Sequence, residues 1–217
     1  ALMVRFAPSA AGVQAGNLTL ISDDPSKPSL ETPLRGEGVA AGSVPVPTIN
    51  SGGVVNAASF TSVLAPGALA SIFGVNLAAS SRQTGAVPWP RILEGVQVLM
   101  DGVAAPVYFV SPGQVNFQVP FEVEGGNALI RVVRDGIEGP VQQVAVADYA
   151  PGVFTYARTS TAIDPIVIHA DGSLVTPDRP ARPGEVVIVF VTGIGSLTAT
   201  PASGARTPAS PLPAALI

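Results

Sequence analysis

Residues Gly95 to Pro120, GVQVLMDGVAAPVYFVSPGQVNFQVP, limit what this chain can become more than any other stretch. Val96, Val98 and Met100 alternate with Gln97, Leu99 and Asp101. Val107 and Phe109 interleave with Tyr108 and Val110. Val115, Phe117 and Val119 alternate with Gln114, Asn116 and Gln118. The breaks fall at Asp101-Gly102 and at Ser111-Pro112-Gly113. Alternation with a period of two, broken by Asp-Gly and Pro-Gly, predicts consecutive antiparallel strands with one face buried. The same stretch carries no reactive constellation. It displays a scaffold, so function has to be sought in a structural or binding role.

The rest of the chain extends that reading. Of 217 residues, 47% are hydrophobic, enough for a real core, and only 12% are charged, roughly half the usual share of about 25%. The 23 Gly and 22 Pro are spread between apolar runs, which predicts many short strands joined by tight turns. No long segment with a 3.6-residue period and caps is present. The expected class is all-β, with immunoglobulin-like β-sandwich units joined by a Pro-rich linker.

Charge and cysteine content exclude several functions. The net charge is -4 and the isoelectric point is ≈ 4.9, so phosphate-driven nucleic-acid binding has no basic face to use. Lys27 is the sole lysine, which leaves little material for Lys–Asn crosslinks. Without cysteine there are no disulfides, thiolate metal sites or cysteine nucleophiles. No apolar run reaches the length of about 18 residues that a membrane-spanning helix needs, so no membrane insertion is expected. The chain opens directly on the alternating Leu2, Val4 and Phe6 with no secretory leader. That opening predicts a polypeptide that is processed, trimmed or only partly ordered.

Composition divides the chain. Residues 1–41 predict three strands around Leu2–Phe6, Leu18–Leu20 and Leu30–Leu34, with a turn at Asp23-Asp24-Pro25. Residues 42–48 form the linker, whose alternating prolines favour an extended segment. A larger unit runs over 49–217, with room for two immunoglobulin-like halves at about 49–148 and 149–217. Within it, Glu185 to Thr192 (EVVIVFVT) is apolar on both faces and predicts a central strand covered on both sides. Ala65-Pro66-Gly67 before LASIFGVNL echoes Arg182-Pro183-Gly184 before EVVIVFVTGIG. Related halves or chance similarity both explain the echo.

Two family resemblances follow from quoted motifs. Phe6, Pro8, Gly16, Leu18, Leu20, Ser22 to Pro25, Leu34, Gly36 and Gly38 resemble the second half of an abnormal-spindle/Hydin-type immunoglobulin-like domain. GVVNAASF (53–60), LAPGALASIFGVNLA (64–78), the 96–120 stretch, APGVFT (150–155), ADGSLVTP (170–177) and RPGEVVIVFVTGIG (182–195) resemble the Solibacter-type C-terminal domain of large secreted acidobacterial proteins. The resemblance implies a secreted, extracellular or cell-surface β-sandwich module and little chemistry. It also implies further strands before Ala1 and after Ile217.

Candidate chemistry is sparse. The single histidine, His169, has Asp164, Asp171 and Asp178 nearby in sequence, and turn preference explains all three acids. Gly193-Ile194-Gly195 follows a strand, but LTATPASGARTP cannot supply the helix that a dinucleotide loop needs. Asp23/Asp24 and Glu122/Glu124 are carboxylate pairs in turns, too few for a persuasive calcium site. Asn17-Leu18-Thr19 is a sequon on an expected strand. Trp89, between two prolines, can stack on a sugar ring or plug the core edge. No catalytic residue, cofactor or metal ligand is assigned.

The leading expectation is a non-enzymatic subunit of an extracellular filament or cell-surface assembly. Its partners would be other copies of itself, joined through incomplete sandwich edges at Leu2, Val4, Phe6, Leu212, Leu216 and Ile217. The alternative is a glycan- or surface-binding module of a larger secreted protein, acting through Trp89, Tyr108 or Tyr156.

Overall fold

The computed structural model describes residues 10–38, 44–207 and 213–215. Leu2, Val4, Phe6, Leu212, Leu216 and Ile217, the expected assembly contacts, lie outside the described residues. The chain separates into two compact units, Ala1–Pro45 and Val46–Ile217. No helix occurs among the described residues, and the fold is all-β.

The first unit contains a long hairpin. Strands β1 (Gly12–Ile21) and β2 (Ser29–Gly38) pair antiparallel from Gly12↔Gly38 to Ile21↔Ser29. Asp24 shapes the connecting turn, its Oδ1 accepting from the Ser26 N–H at 2.8 Å and the Ser26 hydroxyl at 2.7 Å. These bonds hold its carboxyl below the usual carboxylate range. Leu18, Leu20, Leu30 and Leu34 share one face by register. Leu20, Leu30 and Leu34 are exposed there. Asn17 of the sequon is exposed on the opposite face.

The second unit is built on a two-layer sandwich. Its strands in chain order are β3 (Thr48–Asn56), β4 (Val63–Leu64), β5 (Leu69–Val75), β6 (Arg82–Gln83), β7 (Val96–Met100), β8 (Val103–Ala104), β9 (Val107–Ser111), β10 (Gln114–Gln118), β11 (Gly126–Arg134), β12 (Ile137–Glu138) and β13 (Gln142–Val146). One sheet has the order β3-β5-β10-β9-β6. The other has the order β4-β13-β11-β7-β8, with β12 paired to β11. Val54, Ile72, Val110, Val115 and Phe117 of the first layer share one core with Val98, Met100, Ile130, Val132 and Val144 of the second. The Asp101-Gly102 break turns as expected, and Asp135-Gly136 does the same between β11 and β12. Asp101-Gly102 and Asp135-Gly136 both have positive φ at the two central residues, which is the type I′ geometry that matches strand twist.

Two details of the opening stretch differ from the sequence reading. Residues 96–100 and 107–111 are not neighbours in one sheet, because Ala105-Pro106 carries the chain from one layer to the other. Within β9, Val107 and Val110 face the core while Phe109 is half-buried outside. A bulge opposite Asn116/Phe117 inserts one extra residue and flips the alternation there.

The sandwich borders are also less open than strand donation requires. β4, β6 and β8 are two residues each, and such short edge strands blunt edge pairing. β3 is longer, but it is bulged between Ile49 and Val54. The Gln142 side-chain amide donates to the Ile49 carbonyl at 2.7 Å.

Beyond the sandwich, β14 (Gly152–Val153), β15 (Thr155–Ala157), β16 (Ile163–Pro165), β17 (Val167–His169), β18 (Val187–Val189) and β19 (Val191–Thr192) form three two-stranded sheets. This is the region where the sequence left room for a second immunoglobulin-like half. Three chain segments meet at a cyclic junction. The Phe154 N–H donates to the Phe190 carbonyl (2.9 Å), Phe190 to Ile166 (3.2 Å), and Ile166 to Phe154 (2.7 Å). Each segment therefore changes partner at its middle, and the three form a ribbon with no second layer of its own among the described residues.

The expectation that Glu185–Thr192 is a covered central strand is overturned. Val186 is 79% exposed and Ile188 51%. The apolar pattern is that of a core strand, but no sheet lies over it among the described residues.

Candidate functional site

The joint between sandwich and ribbon is built around Asn56, which is fully buried. Its amide donates to the Ala150 carbonyl at 2.9 Å. Its Oδ1 accepts from the N–H groups of Ala58 (2.9 Å) and Ser59 (3.1 Å). Thr192 adds a second tie, its hydroxyl accepting the Leu69 N–H at 2.7 Å. Gly193 and Gly195 have positive φ, and a Cβ would sit 2.0 Å from the Ala150 carbonyl oxygen and 2.2 Å from that of Asp148. The G-x-G after the strand is therefore there for close backbone approach, with no phosphate needed to explain it.

The segment after Gly195 returns to the sandwich. The buried Ser203 hydroxyl accepts the Phe121 N–H at 2.9 Å and donates to Glu122 at 2.7 Å. The latter bond holds the Glu122 carboxyl below its usual range. The Gly204 N–H donates to the Gln118 side chain at 2.6 Å. A cleft of ≈ 260 Å³ remains between this segment and the sandwich, lined by Leu69, Gln118, Phe121, Ile194 and Leu197 among others.

Trp89 is placed at the sandwich edge. Its backbone N–H donates to the Gly204 carbonyl at 2.9 Å. Its ring lies against Tyr108, with centroids 4.7 Å apart and planes tilted by 33°. Both rings are half-buried, and burial pushes the Tyr108 phenol up to about 12. Tyr156 sits apart, in β15, its hydroxyl buried without a hydrogen-bond partner. The structure thus joins two of the three aromatic residues singled out by the sequence.

His169 is 5% exposed at the end of β17. Its Nδ1 contacts Glu185, and its Nε2 lies 3.3 Å from the Arg179 carbonyl oxygen. The second Glu185 oxygen accepts the Arg182 N–H at 2.9 Å. Asp171 pairs with the Arg179 guanidinium at 2.7 Å. Asp171 also takes both donors of Ser173, and these bonds, the Ser173 hydroxyl first, hold its carboxyl far below the usual range. Asp164 is engaged elsewhere, by Arg158. Of the three acids near His169 in sequence, none contacts its ring. The partner is Glu185, 16 residues away, and only the return of the chain from the 170–186 loop brings it there. A cavity of ≈ 660 Å³ opens beside the pair, with Asp178, Arg179 and Arg182 in its walls. No cluster of three or more metal-ligating side chains exists among the described residues.

The largest unsatisfied feature is apolar. Val153, Ile163, Val186, Ile188, Val189, Phe190, Val191 and Ile194 of the ribbon are all exposed. The sequence marked the Glu185–Thr192 part of this set as a covered strand; its exposure was not legible there.

No family model matches this chain, and no curated protein matches it in sequence. Among solved structures, it is similar to an auxiliary nutrient binding protein from Bacteroides thetaiotaomicron VPI-5482. The identity is 12% and the TM-score 0.32, over 49% of this chain and 22% of that one. It is also similar to an auxiliary nutrient binding protein from Bacteroides ovatus ATCC 8483. There the identity is 15% and the TM-score 0.28, over 56% of this chain and 26% of that one. The matched part is about a quarter of either protein's length. Among the described residues, no helix is long and apolar enough to cross a membrane.

Proposed function

We propose that this chain is a non-catalytic β-sandwich module of a larger secreted protein, and that it attaches to a partner surface through the ribbon of residues 152–194. The observation that carries this reading is the exposure of Val186, Ile188 and Phe190 in a run with the composition of a core strand. Apolar clusters of this kind, left in water, mark sites that another surface covers. Each large aliphatic side chain buried on docking contributes up to about 1.5–3 kcal/mol, set against the freedom lost on association. The geometry at His169 supports a non-catalytic role, because both ring nitrogens already face acceptors.

The test uses the labelled chain on a polysaccharide array and on an immobilised envelope-protein fraction. Retention by the protein fraction is expected, lost in the double variant Val186→Asp/Ile188→Asp and kept in Trp89→Ala. Retention by a polysaccharide, lost in Trp89→Ala and kept in the double variant, would move the site to the Trp89–Tyr108 pair and end the ribbon reading.

A second reading, the filament subunit, rests on the first unit. β1 and β2 pair only with each other among the described residues, and an isolated two-stranded hairpin is marginally stable at best. Strands from a neighbouring copy would complete it. Sedimentation and electron micrographs of concentrated material decide this: a monomer at every concentration, with no fibres, rules it out.

A further inference from the structure

We infer that His169 is a proton-operated latch: doubly protonated, its ring bridges the Glu185 carboxylate and the Arg179 carbonyl and pins the 170–186 loop, and loss of one ring proton releases that loop.

The argument is one of donors and acceptors. A carbonyl oxygen only accepts, and so does an ionised carboxylate. A neutral imidazole has a single N–H, so it can serve one of its two neighbours here. Only the imidazolium donates to both. The ring is 5% exposed, so little water is available to substitute for a lost partner, and an unpaired buried polar group is costly. Glu185 holds the Nδ1 proton by charge, which makes Nε2 the site of loss. The Nε2 lone pair then points at the Arg179 carbonyl oxygen 3.3 Å away.

The charged surroundings are few. Glu185 faces the ring from the start of the returning segment, and its other oxygen holds the Arg182 N–H of the Pro183-Gly184 turn. Arg179 faces it through its carbonyl, while its guanidinium is taken by Asp171. Arg182 and Asp178 line the adjacent cavity. The ring's hydrogen bond is the largest influence holding the Glu185 carboxyl below its usual range, so Glu185 is the charged partner of the ring. The latch closes the base of the loop from which β18 emerges, two residues after Glu185. It thus couples proton concentration to the mobility of the exposed apolar strand. This inference does not depend on the binding reading, because its readout is the loop itself.

His169 is the only histidine, so its ring nitrogens are unambiguous in long-range proton–nitrogen correlation spectra. Spectra of the full chain, recorded across the range of about pH 5–8 where histidine switches, are to be paired with amide hydrogen exchange. Gly172, Val175, Arg179 and Glu185 each donate a backbone hydrogen bond within the loop or at its base. Nε2 is expected to lose the proton. Exchange at these four amides, corrected for its intrinsic pH dependence, should quicken about tenfold at the same midpoint, equivalent to ~1.4 kcal/mol. The Ile130 amide in the core should not respond. In His169→Phe the four amides should exchange fast at every pH, with no step. Should that variant not fold, Glu185→Gln serves: the charge opposite Nδ1 is then gone, and the step should shrink. A ring that loses its proton while the four amides stay unmoved, a step that survives His169→Phe, or a step left at full size in Glu185→Gln, overturns the latch.

Discussion

Replacing Asn56 by alanine should loosen the ribbon from the sandwich and destabilise the second unit. The side chain makes three hydrogen bonds, at 2.9, 2.9 and 3.1 Å, and is fully buried. Truncation leaves the Ala150 carbonyl and the Ala58 and Ser59 N–H groups without it. A buried group left unpaired costs about 1–3 kcal/mol. Ala58 is buried, Ala150 half-buried and Ser59 exposed, so the first counts in full and the last very little. The sum is about 3 kcal/mol, a large fraction of the 5–15 kcal/mol typical of a whole domain. For a chain of this size that lowers the melting temperature by roughly 6–12 °C. Calorimetry measures it, and the fluorescence of the single tryptophan, Trp89, reports whether the sandwich edge follows. Asn56→Asp is the informative companion. It keeps both accepting bonds but sets a carboxylate oxygen against the Ala150 carbonyl, so it should also destabilise. If the alanine variant melts within about 1 °C of the parent, the joint does not rest on this side chain and the reasoning fails.

Three further outcomes follow from the same geometry. Phe117→Ala, at a fully buried position between the layers, should cost about 3–5 kcal/mol in denaturant unfolding, and a loss below about 1 kcal/mol would show that the core collapses around the gap. Trp89→Ala uncovers Tyr108, and its phenol should fall from about 12 toward the ordinary value of 10.0 in an ultraviolet titration; an unmoved phenol would mean that Trp89 does not shield it. Asp171 and Glu185 have folded carboxyls below their ordinary values of 3.8 and 4.5. Their contribution to the 170–186 loop is therefore present above those values and lost as the pH falls through the lower folded ones. Amide exchange in the loop should quicken in acid, and Asp171→Asn should blunt the effect.

The turns show how far sequence reaches. Asp101-Gly102 and Asp135-Gly136 specify their geometry locally, since Asp and Gly tolerate the positive φ that a type I′ turn requires. The Pro-Gly echo is real at the same level. Gly67 and Gly184 have φ of 75° and 80°, and in each turn the next N–H bonds back to the residue before the proline. Yet β5 after the first turn lies inside a five-stranded sheet, and the run after the second lies bare. Identical local signals led to opposite environments because cover is supplied by residues distant in the chain. The bulge in β9 and the pairing of His169 with Glu185 escaped the sequence for the same reason.

The sequence by itself determined the class, the strands near 96–100, 107–111 and 114–118 and the face on which Val96, Val98, Met100, Val115 and Phe117 are buried, but not β3 (Thr48–Asn56) or the two-residue edge strands β4 and β6. Alternation and turn chemistry act over a few residues, and they survive being read one window at a time. Only the tertiary structure decided which strands share a sheet, that Trp89 rests on Tyr108, and that the most apolar run of the chain faces water. Those are matters of which distant surface arrives to bury another, and no local pattern encodes whether it does.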